Sequence, residues 1–210
     1  METIYNLITL GDSAVGKTSL IRRYIYNLFD GNTMSTIGLA FCFKEIVLKN
    51  KKNKKIKLKL IDTGGQEKYR AIAKSYFKNT DGVLFVYSID NQESFDHITE
   101  WISIFNDNDS NDSQKEVIPQ FLVEAKNDLE RVVNQEISEK FAKEKGLGWI
   151  STSSKTNEGV EEMFEKIAEQ IYEQKKDKKN NEQNRMELKN DNKSKKETCC
   201  LFRKDTYADM

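Results

Sequence analysis

The stretch GDSAVGKTS, residues 11–19, decides how the rest of this chain is read. It follows an apolar segment, TIYNLITL (3–10), and opens an amphipathic one running from Lys17 to about Leu28. Strand before and helix after is the context in which Gly-x-x-x-x-Gly-Lys-Ser/Thr has meaning, and Gly11, Gly16, Lys17 and Thr18 fit it. Glycines let backbone N–H groups turn inward around a phosphate, and the start of a helix adds positive potential. Ser13, Ala14, Val15, Gly16, Lys17, Thr18 and Ser19 are therefore candidate phosphate-binding residues. Lys17 can reach β- and γ-phosphate oxygens, and the Thr18 hydroxyl can ligate Mg²⁺. The competing reading is a glycine-containing strand-to-helix turn that holds nothing.

Outward from this loop, apolar and amphipathic segments alternate. Strands are expected over 3–10, 41–49, 56–61, 82–89, 117–123 and 148–152. The lysine- and asparagine-rich KNKKNKK (49–55) is expected to be a hairpin turn between the second and third. Phe95, Ile98, Ile102 and Phe105 share a face, which predicts one helix over 93–105. Asn134 reads as an N-cap and Gly146 as a stop for another, and an amphipathic helix over 158–173 closes the series. Such alternation predicts an α/β domain, a mainly parallel sheet with helices on both faces.

Two further segments point to the same chemistry. DTGGQE (62–67) ends the third strand. Asp62 can hold Mg²⁺ through water, the Gly65 N–H can sense a γ-phosphate, and Gln66 can orient an attacking water. Upstream, Thr36 offers a second Mg²⁺ ligand and Phe29 an aromatic face for a flat base.

With these residues in view the chain resembles the Ras-like small GTPases and, within them, the Rab family. The resemblance covers residues 3 to about 174 and rests on TIGLAF (36–41), KLKLIDTGGQEKYR (57–70), AIAKSYFKNTDG (71–82), FVYSID (85–90) and STSSKTNEGVEEMFEKIAEQI (151–171). It implies a six-stranded, mostly parallel sheet with one antiparallel strand. It implies GTP and GDP binding with Mg²⁺, and a switch released on hydrolysis. Catalysis would rest on Gln66, Lys17 and Thr36, by positioning and charge neutralisation. No loop residue supplies an arginine in cis, so hydrolysis is expected to be slow without a GTPase-activating protein. An exchange factor, effectors and a monomeric state are the other partner expectations.

The guanine-reading elements depart from the family pattern. The family's Asn-Lys-x-Asp stands here as Ala125-Lys126-Asn127-Asp128, after Glu124. Lys126 and Asp128 keep register, and Asp128 can accept two hydrogen bonds from guanine that adenine cannot offer. Ser153, Ser154 and Lys155 match the family's Ser-Ala-Lys at the base. Ala125 removes an amide that helps hold the base, which predicts weakened binding and fast GDP release; Asn127 swinging in is the alternative. Gly64 stands for the family's Ala, and Ile61 for the usual Trp on the surface that effectors read, so partner choice is expected to differ. The polar NDNDSNDS (106–113) lacks the spacing of a calcium loop and reads as a solvated insertion.

Composition sets the remaining bounds. Among 210 residues, 34 Lys and Arg balance 34 Asp and Glu, so no global attraction to nucleic acid is implied. No secretory leader or N-myristoylation start is expected, and no apolar run reaches the ~18 residues that span a bilayer. Residues 175–198 carry nine basic and five acidic residues with almost nothing apolar, so a basic, disordered tail is expected over 175–210, after a domain of 1–174. Its Cys199-Cys200 pair is a candidate lipidation site, although LFRKDTYADM follows it, unlike the family's usual ends. The readings are prenylation after trimming, S-palmitoylation, or no lipid; reversible association with a cytosolic membrane face is the favoured expectation. Cys42 reads as packing, and His97 as a surface residue with no ligand or nucleophile partner in sequence. A Rab-like scaffold that scarcely hydrolyses nucleotide is the alternative function. A nucleotide-independent structural protein and an ATPase stand behind it.

Overall fold

A computed structural model describes residues 3–31, 36, 38–65, 70–107 and 118–178. The chain divides into two compact units, Met1–Ile171 and Tyr172–Met210. In the first, β1 (Ile4–Leu10), α1 (Lys17–Tyr26), β2 (Leu39–Leu48), β3 (Lys54–Thr63), α2 (Arg70–Phe77), β4 (Gly82–Ser88), α3 (Gln92–Asp96), α4 (Ile98–Asn106), β5 (Gln120–Ala125), α5 (Gln135–Lys145) and β6 (Gly148–Ser151) follow in order. A further helix, α6, occupies residues 160–171 of this unit. In the second unit the described residues, 172–178, are helical. No described helix is long and apolar enough to cross a membrane.

The strands form one six-stranded sheet in the order β2-β3-β1-β4-β5-β6. Only the β2–β3 pair is antiparallel. The hairpin between them closes through a 3₁₀ turn at Lys49–Lys51, then Lys52 and Asn53 in the left-handed region. Polar residues at that turn leave the ladder free to extend from Lys54 to Thr63, beyond the expected 56–61. β4 is buried along its whole length, as a central parallel strand must be.

Side-chain alternation sends two sets of residues to opposite faces of the sheet. On one face Ile8, Leu10, Ile61, Val83, Phe85, Tyr87 and Leu122 pack with Phe77 of α2, Phe95 of α3, Ile98, Trp101 and Phe105 of α4, and Ala142 of α5. On the other, Tyr24 of α1 stacks on Phe164 of α6, ring centroids 4.0 Å apart.

Several boundaries differ from the sequence expectation. Helix α1 stops at Tyr26 because Asn27 turns left-handed and its N–H donates to the Arg23 carbonyl. The expected helix over 93–105 is two, α3 and α4, meeting at His97. Strand β5 begins at Gln120 and runs on through Glu124 and Ala125, both buried, where a charged loop was expected to start. Ile61 is 1% exposed, so it lies in the core and not on a surface open to partners. It belongs to the buried cluster against which Leu39 and Tyr76 pack. Asn134 caps α5 as expected, its side-chain oxygen accepting from the N–H groups of Glu136 and Ile137, and Gly146 ends it at φ 69°.

Candidate functional site

The loop from Gly11 to Gly16 joins β1 to α1 at the carboxyl edge of the sheet. Gly11 lies against β4: a Cβ there would sit 2.1 Å from the Val86 carbonyl oxygen, so no larger residue fits. Helix α1 begins without a capping side chain and without an acidic residue in its first turn. Its first N–H groups are left for an anion. Lys17 folds back over the loop, its Nζ donating to the carbonyls of Gly11 at 2.8 Å and Asp12 at 2.5 Å. Burial pushes its ammonium down to about 8, against the attraction of Asp62 and Asp12. A bound phosphate would supply the anion that this cation lacks.

Thr18, Thr36 and Asp62 converge beside Lys17. Thr18 Oγ1 lies 2.5 Å from Thr36 Oγ1 and donates to Asp62 Oδ2 at 2.7 Å. Asp62 Oδ1 is buried with no hydrogen-bond partner among the described residues. Burial pushes the Asp62 carboxyl up, opposed by Thr18, Lys17 and Thr36. An orphaned carboxylate oxygen beside two hydroxyls is a hard-oxygen set that fits Mg²⁺. Among the described residues no cluster of three His, Cys, Asp or Glu exists, so a cation here depends on hydroxyls and on ligand oxygens.

A cavity of about 440 Å³ opens from this corner. Ser13, Ala14, Gly16, Lys17, Thr18, Ser19, Thr36 and Gly65 line one part; Phe29, Ala125, Lys126, Asp128, Ser154 and Lys155 line another. Val15 is buried, and Asp62 does not line the cavity but meets it through Thr18. Ser153 does not line the cavity; its Oγ donates to Asp128 Oδ1 at 2.6 Å, and Lys155 Nζ lies 3.6 Å from Asp128 Oδ2. The Asp128 carboxylate is thus held from behind and presented to the cavity. Arg23 of α1 ties this end to the phosphate loop's helix by donating to the carbonyls of Ser154 at 2.6 Å and Lys155 at 3.1 Å. Gly64 is buried, its N–H donating to the Gly38 carbonyl. Gln66, Cys199 and Cys200, most of the 106–113 insertion, and the tail from 179 onward lie outside the described residues.

Asn127 does not take the place of the missing amide. It is absent from the cavity lining, and its Oδ1 is buried without a partner. Ala125 instead faces the phosphate loop, at 3.7 Å from a Cβ built on Gly16.

Two constellations escaped the sequence reading. Glu124 is fully buried on β5, and it accepts from Arg131 Nη1 and Nη2 at 2.6 Å each, from Tyr87 Oη at 2.8 Å and from Ser151 Oγ at 2.8 Å. The loop carrying Asp128 is thereby closed on itself by an ion pair seven residues apart. Asp12 does not line the cavity; its carboxylate accepts from His97 Nδ1 at 2.7 Å and Trp101 Nε1 at 2.8 Å. His97 lies at the surface as expected, its side chain 41% exposed, and the structure adds a contact to Asp12 that the sequence did not show. Separations of 85 and 89 residues hide both Asp12 contacts from any local pattern.

Comparison with known proteins gives a concordant picture. A family model described as Ras family matches residues 6–173. Ras-related protein Rab-10 of Caenorhabditis elegans is 37% identical over 165 residues, covering 78% of each chain. GTP-binding protein ypt3 of Schizosaccharomyces pombe is 40% identical over 166 residues, covering 78% of this chain and 73% of its own. Ras-related protein SEC4 of Saccharomyces cerevisiae is 34% identical over 164 residues, with the same coverages of 78% and 73%.

Proposed function

The chain belongs to the Ras family, among its Rab members, and on that premise we propose that it is a guanine-nucleotide switch of vesicle traffic. It binds GTP and GDP with Mg²⁺, hydrolyses GTP slowly alone, and recruits effectors in the GTP state. The observation that carries this reading is the single cavity shared by Lys17 and Thr18 at one end and Asp128 and Lys155 at the other. A phosphate cradle alone does not choose a base; a base-reading carboxylate alone does not hold phosphates.

In this mechanism the first-turn N–H groups of α1 and Lys17 take the phosphate charge, and Gly65 follows the γ-phosphate. Thr18, Thr36 and, through water, Asp62 would hold Mg²⁺, which would supply charge neutralisation at the phosphates. Gln66 orients the attacking water. Phe29 covers the base, Asp128 reads it, and Ser154 and Lys155 close the pocket around it. An activating protein supplies the missing cation in trans, and an exchange factor opens the site. The domain extends to 174 and the basic tail beyond it brings the switch to the cytosolic face of an endomembrane through Cys199 and Cys200. Intact mass of the chain from its native cell, with a lipid increment on that pair, checks the last point.

Titration of one preparation with GTP, GDP and ATP tests the function. Guanine nucleotides binding at least ~10²-fold more tightly than ATP is the expected result, since a carboxylate denied its base partners loses about 1.5–3 kcal/mol per hydrogen bond. Equal affinities would overturn it. The alternative, a Rab-like scaffold that scarcely hydrolyses nucleotide, draws its support from Ala125 and Gly64; single-turnover GTP hydrolysis separates the two, because a scaffold would show almost none.

Ala125 gives a further expected result. A hydrogen bond lost from a ligand costs ~0.5–1.5 kcal/mol, about a factor of ten at the upper end. Ala125 lines the cavity, so Ala125→Asn has room to restore an amide there. The variant is expected to release fluorescent GDP roughly tenfold more slowly than the natural chain. An unchanged or faster release would show that the amide's work is done by another group.

A further inference from the structure

Asp12 stands at a junction of three parts of the molecule. Its carboxylate is held by two donors from the start of α4, His97 and Trp101. Its carbonyl accepts from Lys17 Nζ at 2.5 Å. Its peptide with Ser13 lies flush against Gly65: a Cβ on Gly65 would be 2.3 Å from the Asp12 carbonyl and from the Ser13 nitrogen. Any shift of Asp12 therefore moves the phosphate cradle, the lysine tether and the root of the DTGGQE segment together.

We propose that His97 is a positioning residue for the phosphate loop: by gripping Asp12 it lengthens the dwell time of bound guanine nucleotide, and it does so more strongly at lower pH. The proposal rests on the nucleotide-binding function above and names a regulation of that site. The two halves of the grip differ in kind. Trp101 is 1% exposed and its indole N–H donates at every pH. His97 is half-exposed and titratable; as a neutral imidazole it offers Asp12 a hydrogen bond, and as a cation it adds charge to that bond.

Among the described residues, the charged groups that act on His97 favour the cation. They are Asp12 from the phosphate loop, Glu93 from α3 and Glu100 from α4. The hydrogen bond to Asp12 raises the imidazole above its ordinary value; burial works against it, and the three carboxylate charges add to the rise. A raised value means the charged grip is fully present below the ordinary histidine range and is lost as pH rises through the elevated one. Nucleotide release should therefore quicken between about pH 6 and about pH 8. Ion pairs with one face in water are modest, so the change is roughly two- to fivefold.

The test compares release of fluorescent GDP from the natural chain and from His97→Gln across that range, at fixed Mg²⁺. Both profiles carry the titration of the nucleotide itself, so the quantity read is their ratio. The natural chain is expected to quicken by roughly two- to fivefold more than the variant. Parallel profiles, with GDP bound by both, would overturn the proposal while leaving the nucleotide function intact. Absence of GDP binding by the natural chain would overturn the function and this proposal with it. A second measurement needs no nucleotide: the chain has one histidine, so its imidazole titration can be followed by NMR as a single resonance. It should be raised in the natural chain and fall back toward the ordinary value in Asp12→Asn. An unraised histidine in the natural chain would dispose of the grip whatever the nucleotide does.

Discussion

Asp128→Ala is expected to abolish the preference for guanine over adenine nucleotides. The carboxylate sits at the cavity wall with only 13% of its side chain exposed, Ser153 donating to one oxygen and Lys155 facing the other. It is held in place before any base arrives, so little of its binding energy is lost to ordering. Guanine offers it two donors, N1–H and the 2-amino group; adenine offers an acceptor at N1 and no 2-amino group. Each hydrogen bond to a charged group is worth about 1.5–3 kcal/mol, so losing both lowers guanine affinity by roughly 10²–10⁴-fold while leaving ATP binding nearly unchanged. Competition of GTP and ATP against a fluorescent nucleotide measures this directly. Ser153→Ala keeps the carboxylate but frees its support, and should cost guanine affinity by roughly tenfold or less. If Asp128→Ala retained the guanine preference, another group in the cavity would have to be the reader.

The line between what the sequence disclosed and what it hid follows interaction range. The phosphate loop, the lysine-rich hairpin and the Asn134 cap are local: spacing and residue type determine them within a few positions, and the structure places each as read. Phe29 and Thr36 were read from their place after the first helix and Asp128 from its register in the family pattern, and all three line the cavity. The split of α3 from α4 was not, because the apolar face of 93–105 continues across His97 while the backbone shifts there. Glu124 misled for a plainer reason. A charged residue next to a polar loop is nearly always solvated, and only the folded sheet brings Tyr87 of β4, Ser151 of β6 and Arg131 onto one carboxylate. Ile61 was judged by what the family carries at its position, and the folded sheet buries it here.

That buried carboxylate carries the second large expected effect, in Arg131→Ala. Glu124 has no exposure to water; Tyr87 and Ser151 each donate to one of its oxygens, and Arg131 spans both and supplies the compensating charge. Burial alone would push its carboxyl up; the hydrogen bonds from Arg131, Tyr87 and Ser151 outweigh it and hold the group below the usual carboxylate range. Removing one partner of a buried ion pair strands the other, a loss of about 3–5 kcal/mol. Urea denaturation of the variant at neutral pH should show that deficit. A lowered carboxyl contributes stability above its unfolded value and loses it as pH falls through the folded one. The natural chain should therefore weaken on acidification below about pH 4.5. The variant's deficit should narrow over the same range, since a protonated Glu124 needs no cation. Adding Glu124→Gln to Arg131→Ala should recover part of the loss at neutral pH by removing the stranded charge. A deficit under about 1 kcal/mol in Arg131→Ala would reduce the pair to the level of a surface contact. The consequence reaches beyond stability, because Asp128 sits inside the loop that this pair closes. With Arg131 gone, Ala125 still anchors one end in β5, but the other end is left with the backbone bonds from the Val132 and Val133 N–H groups to the Ile89 carbonyl, and guanine affinity should fall even in the fraction that remains folded. A variant both less stable and unaltered in guanine affinity would show that Ser153 and Lys155 alone suffice to aim the base-reading carboxylate.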